Sequence, residues 1–212
     1  MVKLIYSPLD LDIASNNIIE TANFLHSKGW TPATSSNFSQ RLDNSYCAIT
    51  VSGKDKGRLT SDDIMVVDFE GKPQHDKKPS AETLLHTSLY ALDESIGAVL
   101  HTHSLNSNLL SILTENSSWR LEGYELLKAF SGIATHESAI NVPIFANTQD
   151  IATLADKVIE YLHQNIPCWG YLIRGHGIYT WGRDMASALR HLEAMEYLIQ
   201  CELEIMRIRG KK

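Results

Sequence analysis

The sequence predicts a layered α/β sandwich, and three observations support this fold class. Segments whose apolar residues have helical spacing alternate with short apolar segments typical of strands. The strand-like segments outnumber those that simple strand–helix–strand crossovers would explain, which favours a layered sheet covered by helices. With 212 residues and 43% hydrophobic content, the chain is long enough to bury one sizeable core. We therefore expect a single domain over residues 1–212.

The N-terminal third predicts a helix followed by a meander of short strands. Residues 9–28 carry apolar positions at helical spacing, and the segment ends at Lys28, a basic last turn followed by Gly29. Three strand-like segments follow, at residues 37–42, 46–51 and 64–69. Polar turns separate them, so neighbouring strands are expected to pair in order.

The middle of the chain predicts a buried strand between helices. Ser80 is a plausible N-cap for a helix that runs to about Leu92. The apolar run Ile96–Leu100 has the length and composition of a buried strand, and it leads directly into His101-Thr102-His103. Helices are expected at residues 104–113 and 122–130.

The C-terminal third of the sequence predicts three strands, a helix between the first two, and a long final helix. An edge strand is expected at Asn141–Phe145, and a helix at residues 148–164. Further strands are expected at residues 168–173 and 177–181. From Asp184 to about Arg207 apolar residues recur at helical spacing and close the domain. The order of the strands in the sheet does not follow from these patterns.

Composition excludes several classes of function. The net charge of −6 is mild and the basic residues are scattered, so no nucleic-acid partner is expected. No apolar stretch approaches the roughly twenty residues of a membrane span, and the first residues have no signal-peptide core, which predicts a cytoplasmic protein without a membrane partner. Cys47, Cys168 and Cys201 are far apart and lack a CxxC pair, so we expect reduced thiols rather than disulfides or a thiolate zinc site.

A metal site is the strongest chemical hypothesis. Side chains at alternate positions of a strand share a face, so His101 and His103 are expected to point the same way. By itself the pair could also be two surface histidines or a hydrogen-bonded core pair. His176 follows another apolar run, and the flanking Gly175 and Gly177 allow a tight turn that aims its ring inward. Three histidines without a fourth protein ligand are typical of catalytic zinc.

Three motifs resemble the signature blocks of the class II aldolase and adducin family, in the same order and spacing. They are KPSAETLLH (78–86), AVLHTHS (98–104) and IRGHGIYTWG (173–182), and the likeness runs from about residue 12 to 208. Residues 121–128, 135–136 and 145–150 resemble a dehydratase branch and are lacking in aldolase and epimerase relatives. The resemblance implies a three-layer α/β/α sandwich around a mainly antiparallel central sheet. It also implies a fourfold-symmetric homotetramer with active sites at subunit interfaces.

The resemblance also implies roles for individual residues. It assigns one zinc ion per subunit to His101, His103 and His176, and a catalytic acid/base to Glu125. For Glu125 the alternative is a solvated helix charge, because Glu122 looks equally acidic. Glu82 matches a carboxylate that relatives use as zinc ligand or proton shuttle, and its alternative is a carboxylate that stabilises a helix N-terminus.

A phosphorylated substrate needs amides and hydroxyls on turns. The residues that match the family's phosphate-binding positions are Thr34, Ser35, Ser36, Asn37, Ser52, Gly53 and Ser80. Ser36 and Asn37 stand where relatives more often carry glycines, and without the resemblance these segments would be ordinary turns. Lys128, one turn after Glu125, is a further candidate for the substrate, although an exposed lysine is the more common explanation.

The expected activity is zinc-dependent dehydration of a small phosphorylated sugar. The first alternative is a class II aldolase or 4-epimerase that acts on another sugar phosphate with the same metal. The second is a non-catalytic, adducin-like assembly module, because a shared fold does not imply shared chemistry.

Overall fold

A mixed sheet of eight strands forms the middle layer of the computed structural model, which describes residues 6–210. The strands are β1 (Asn37–Arg41), β2 (Tyr46–Thr50), β3 (Ile64–Asp68), β4 (Ala98–Thr102), β5 (Ser118–Glu122), β6 (Ala139–Phe145), β7 (Gly170–Ile173) and β8 (Gly177–Gly182). Their order is β3-β2-β1-β4-β8-β7-β6-β5. Among the described strands only the pair β6–β7 is parallel. Residues 1–5 and 211–212 of the predicted domain lie outside the described residues.

Helices cover both faces of this sheet. They are α1 (Pro8–Ser27), α2 (Thr83–Leu92), α3 (Leu105–Leu113), α4 (Ile151–Gln164) and α5 (Met185–Arg209). One core contains α1, α3 and α5, and the opposite core contains α2 and α4. Because strand side chains alternate, Leu100 enters the first core and its neighbour Val99 the second. The predicted three-layer α/β/α sandwich around a mainly antiparallel sheet is confirmed.

The start of α2 differs from the prediction, in a way that matters for the site. Ser80 is not its N-cap, because the helix begins at Thr83 and Glu82 occupies the cap position. Ser80 instead forms the turn before the helix: its hydroxyl accepts from the Glu82 N–H at 3.3 Å and its carbonyl from the Thr83 N–H at 3.2 Å. This turn places the Glu82 carboxylate at the helix N-terminus, where a negative charge is favoured.

The region after α3 corrects two further expectations. Residues 118–122 form β5, which was not predicted, and β5 pairs with β6 on its outer side. The segment 141–145 is therefore part of an inner strand rather than an edge strand. The helix expected at 122–130 is a short 3-10 turn over Glu125–Ala129. In β5 only Leu121 is buried, so this strand carries too little apolar pattern to be recognised.

Across residues 6–210, none of the helices combines the length and the apolar character needed to cross a lipid bilayer.

Candidate metal centre and adjoining cavity

Two neighbouring strands and one turn bring the three histidines together. His101 lies on β4, opposite Asn37 of β1 and Tyr179 of β8. His103 follows the end of β4, and its N–H donates to the Trp30 carbonyl at 2.9 Å. His176 lies in the turn that joins β7 to β8, two strands that pair along their length. His176 therefore meets His101 and His103 at one end of the sheet, although it follows them by more than seventy positions in the sequence.

The glycines on either side of His176 allow this arrangement. Gly175 has φ +64°, which favours glycine because a Cβ would be strained there. At Gly177 an added Cβ would lie 2.1 Å from the Thr102 carbonyl oxygen, so a side chain would push β8 away from β4. The predicted role of these glycines in a tight turn agrees with the structure.

The three imidazoles and Glu82 form one compact cluster. The ring centroids of the histidines lie 4.6 to 5.0 Å apart, and the Nε2 atoms of His101 and His103 are separated by 2.8 Å. Glu82 Oε1 lies 2.8 Å from His176 Nε2, and Glu82 Oε2 lies 3.7 Å from His101 Nε2. One possible ligand atom from each of the four residues lies within 4.8 Å of the others. The predicted histidines and Glu82 are thus together.

The protonation states in this cluster suit a cation. His101 Nδ1 donates to the Ile178 carbonyl at 3.0 Å, which leaves the lone pair of Nε2 facing the cluster. Burial lowers the pKa of His101 well below its usual value, and burial together with the charge of His176 lowers the pKa of His103 to about 4. Both rings are neutral at pH 7. This donor set of imidazoles and one carboxylate fits a divalent metal ion.

Glu82 is an ionised carboxylate. Burial by itself raises its pKa, but the hydrogen bonds from His176 and Asn37 help to outweigh burial, so that the pKa stays well below its ordinary value. Asn37 Nδ2 also donates to Glu82 Oε2 at 2.6 Å. The alternative role, a carboxylate at a helix N-terminus, is compatible with the same position.

A buried hydrogen-bond chain behind Glu82 was not predicted. The Asn37 side-chain carbonyl accepts from His86 Nε2, so His86 Nδ1 accepts from the Ser39 hydroxyl at 2.8 Å, which in turn lies 2.8 Å from the Tyr90 hydroxyl. Burial lowers the pKa of His86 to about 3, which keeps this ring neutral. The spacing of Glu82, His86 and Tyr90, four residues each, could have indicated one helix face.

A cavity of about 150 Å³ adjoins the cluster. Its lining includes Glu82 and His103, so it opens onto the candidate metal centre. All of the predicted phosphate-binding residues except Lys128 line it, and these are Thr34, Ser35, Ser36, Asn37, Ser52, Gly53 and Ser80. Hydroxyl groups therefore surround a space that ends at the histidines.

Beside this cavity, one loop has positive φ angles at residues other than glycine. Ala33, Thr34 and Ser36 have φ values of +51°, +63° and +75°, although none is glycine. Each such conformation costs on the order of 1 kcal/mol or more and persists only where the surroundings enforce it. The hydroxyl of Ser35 is buried in the same loop and has no hydrogen-bond partner among residues 6–210. Strain and an unsatisfied donor on one loop are typical of a ligand-binding segment.

Glu125 and Lys128 lie outside both the histidine cluster and the adjoining cavity. The Glu125 side chain is 71% exposed, and it pairs with Lys128 Nζ at 2.5 Å and with His136 Nδ1 at 3.7 Å. It lines a groove between the 3-10 turn and α5 and not the cavity beside the histidines. The hydrogen bond from Lys128 lowers the pKa of Glu125. Within one chain, Glu125 is thus exposed and lies outside the candidate metal centre, unlike the position that the role implied by the family resemblance requires.

A second unpredicted contact holds the segment after His103. Ser104 caps α3, and its hydroxyl lies 2.6 and 2.8 Å from the two carboxylate oxygens of Glu196 on α5. Glu196 is only 1% exposed, and burial raises its pKa to about 7. Since these residues are 92 positions apart, no local pattern indicates the pair.

The chain matches a family model and several named proteins. Residues 16–203 match the model described as "Class II Aldolase and Adducin N-terminal domain". A protein of Xanthomonas campestris named methylthioribulose-1-phosphate dehydratase is 56% identical, with 98% of this chain and 96% of that protein covered. A Stenotrophomonas maltophilia protein with the same name is 60% identical over 91% of both chains.

Solved structures agree on the fold. A structure from Escherichia coli described as YgbL, a putative aldolase/epimerase/decarboxylase, has a TM-score of 0.78 at 22% identity, with 93% of this chain and 91% of that chain covered. An l-fuculose-1-phosphate aldolase from Thermus thermophilus has a TM-score of 0.74 at 25% identity, with coverages of 92% and 97%.

Proposed function

Because the chain belongs to the class II aldolase and adducin family, we propose that it is a zinc-dependent hydro-lyase of methionine salvage. It converts 5-methylthioribulose-1-phosphate into 2,3-diketo-5-methylthiopentyl-1-phosphate and water, as the names of its relatives indicate. The observation that carries this proposal is the convergence of three imidazoles and one carboxylate at the end of a hydroxyl-lined cavity.

His101, His103 and His176 would hold one zinc ion per subunit, with Glu82 as a fourth ligand or as a proton shuttle. When bound, zinc is a Lewis acid that stabilises negative charge developing on substrate oxygens. The chain supplies the neutral rings of His101 and His103, the tautomer of His101 and the fixed position of Glu82 through Asn37. These contacts hold the donors in place before the substrate arrives.

The phosphate end of the substrate lies in the adjoining cavity. Hydroxyls of Thr34, Ser35, Ser36, Ser52 and Ser80, with the Asn37 amide and the backbone at Gly53, are its candidate donors. The buried, unpartnered hydroxyl of Ser35 supports this assignment, since such a group gains a partner when an oxygen-rich ligand binds. Lys128, which is outside this cavity, would approach the substrate only together with Glu125.

We propose that the active site is completed across a subunit interface in a homotetramer. Glu125 is exposed and apart from the cluster of its own chain. Helix α3 presents Leu105, Ile112 and Leu113 to solvent, each at least 60% exposed, and exposed apolar groups of this size favour association. Ile112 borders Gly175, next to His176, so a neighbour seated on α3 would approach the cluster. Glu125 of that neighbour is the proposed acid/base.

In this arrangement Glu125 removes the proton from C3 of the substrate and delivers a proton to the departing C4 hydroxyl. The C4–O bond breaks, water leaves, and the resulting enol ketonises to the diketone without cleavage of a carbon–carbon bond. Burial by the neighbouring subunit would raise the pKa of Glu125 and allow this exchange near neutral pH.

Replacement of the acid/base tests the proposal. Glu125→Gln is expected to lower turnover by at least about a hundredfold, the usual contribution of general acid–base catalysis, while zinc content stays at one ion per subunit. Glu122→Gln, which changes an exposed carboxylate on β5, is the matched control and should retain activity. Full activity in Glu125→Gln would remove this residue from the mechanism.

Product analysis separates the alternatives. An aldolase would release an aldehyde fragment and a 4-epimerase would retain all atoms of its substrate, whereas the dehydratase loses water. The similarity to l-fuculose-1-phosphate aldolase makes this comparison necessary. A non-catalytic, adducin-like module would contain no zinc after purification in metal-sufficient medium. A cytoplasmic location, which we also propose, agrees with the three unpaired cysteines.

A further inference from the structure

Lys56 has an uncommon environment for a lysine. Its side chain is only 1% exposed and lies outside the lining of the cavity beside the histidines. The ammonium group donates to the Thr34 carbonyl at 3.3 Å and to the Lys54 carbonyl at 2.7 Å. Lysine is almost never fully buried unless it is paired with a charge, so this position calls for an explanation.

The two carbonyl oxygens belong to two different loops that contribute to the cavity lining. Thr34 lies on the strained loop that ends at Asn37, and Lys54 directly follows Ser52 and Gly53. Lys56 therefore ties together two loops that are otherwise separate in sequence. The bond to Thr34 also helps to hold a residue whose φ is +63°, a conformation that needs support from its surroundings.

The nearby carboxylates are engaged with other groups. Asp63 pairs with Lys54, Asp55 pairs with Arg58, and Glu82 accepts from His176. Within residues 6–210, both hydrogen-bond partners of the ammonium are uncharged carbonyl oxygens. Burial lowers the pKa of Lys56 to about 8, with Asp55, Glu82 and Asp63 opposing this effect at longer range, so that the group remains mainly protonated at pH 7. A buried cation whose hydrogen-bond partners are uncharged is costly, and an anion bound nearby lowers that cost.

We propose that Lys56 is a positioning residue for the phosphate group of the substrate. It fixes the spacing of the two loops and supplies, from behind them, a positive charge that the phosphate dianion neutralises. This inference rests on the proposed function, because a sugar phosphate is the ligand. Behind the hydroxyls and amides of the two loops, Lys56 supplies an ammonium group that is not itself part of the cavity lining.

Two substitutions separate the charge from the hydrogen bonds. Lys56→Met removes both, whereas Lys56→Gln keeps a donor without the charge. We expect both variants to raise KM and the Kd of inorganic phosphate by about tenfold or more, with kcat changed less than about threefold. Lys77→Met is the matched control, because Lys77 also donates to two carbonyl oxygens, but these belong to Asp62 and Ile64, neither of which lines the cavity. Its KM and phosphate affinity should stay unchanged.

Phosphate binding is measured by calorimetry on the zinc-loaded protein, in the absence of turnover. If the wild-type protein binds phosphate through Lys56 but does not dehydrate the substrate, the proposed function fails and this inference stands. If the wild-type protein is an active dehydratase and Lys56→Met keeps its KM and its phosphate affinity, the inference is wrong. A loss of kcat at constant KM also contradicts it.

Should neither variant fold, hydrogen exchange on the wild-type protein decides the question. Bound phosphate is expected to slow amide exchange in residues 31–37 and in residues 51–57 together, because Lys56 links both loops. Protection of neither loop, or of one loop alone, would overturn the proposal.

Discussion

Glu82 connects the candidate metal centre to the buried core at the scale of single residues. One oxygen accepts from His176 Nε2 at 2.8 Å and the other from Asn37 Nδ2 at 2.6 Å. Asn37 in turn contacts His86, whose ring is completely buried. A carboxylate with both oxygens engaged keeps one orientation, and this orientation faces the three histidines. Its negative charge therefore stands where a cation would bind.

Glu82→Gln is expected to weaken zinc binding by at least about tenfold, because the amide has the same shape without the charge and cannot accept from both partners in the same way. Competition with a chelator of known affinity measures the effect. Glu122→Gln again serves as the exposed control. Equal zinc affinity in the wild-type protein and in Glu82→Gln would mean that Glu82 only supports the start of α2.

At the scale of secondary-structure elements, the contact between Ser104 and Glu196 joins α3 to α5 directly after His103. Burial raises the pKa of Glu196 from 4.5 to about 7. Between about pH 4.5 and pH 7, Glu196 is therefore mainly protonated in the folded protein but mainly ionised in the unfolded chain. The stabilising contribution is complete below about pH 4.5 and is lost as the pH rises towards 7.

Glu196→Gln removes this titration and keeps a side chain of similar shape. As the pH rises from 4.5 to 8, the wild-type protein loses stability through this group and the variant does not. The free energy of unfolding of the variant, relative to that of the wild-type protein, should therefore rise by about 2 to 3 kcal/mol over this range, since one pKa unit corresponds to about 1.4 kcal/mol. Denaturant unfolding at the two pH values measures the gain. Glu204→Gln, an exposed carboxylate on the same helix, should show no such trend. An identical pH dependence in Glu196→Gln and the wild-type protein would contradict the assignment.

At the scale of the whole molecule, the proposed tetramer would account both for the exposed apolar surface of α3 and for the separation of Glu125 from the histidines. Ile112→Asp is expected to break the proposed tetramer and to reduce turnover strongly, because a charge in an apolar interface is costly. Light scattering after gel filtration gives the mass. Ile166→Asp, at an exposed position before β7, is the control. A fully active monomer, in the variant or in the wild-type protein, would contradict a shared active site.

Local patterns in the sequence were sufficient for most elements. Sequence patterns predicted all five helices, with a start that was too early for α2, and apolar or alternating segments predicted every strand except β5. These signals depend on which face of an element is buried, and that information lies within ten to twenty neighbouring residues. The histidines of the HxH motif and His176 with its glycines could likewise be recognised, because short motifs specify turns and strand faces.

Tertiary structure alone decided the strand order, the position of β5 outside β6, and the turn that displaces Ser80 from the cap of α2. It also decided the burial of Lys56 and Glu196, which look like ordinary surface charges in the sequence. The physical reason is that burial and pKa depend on which distant surfaces meet. The surroundings proposed for Glu125 depend on the quaternary structure, because its proposed partners lie on another copy of the chain.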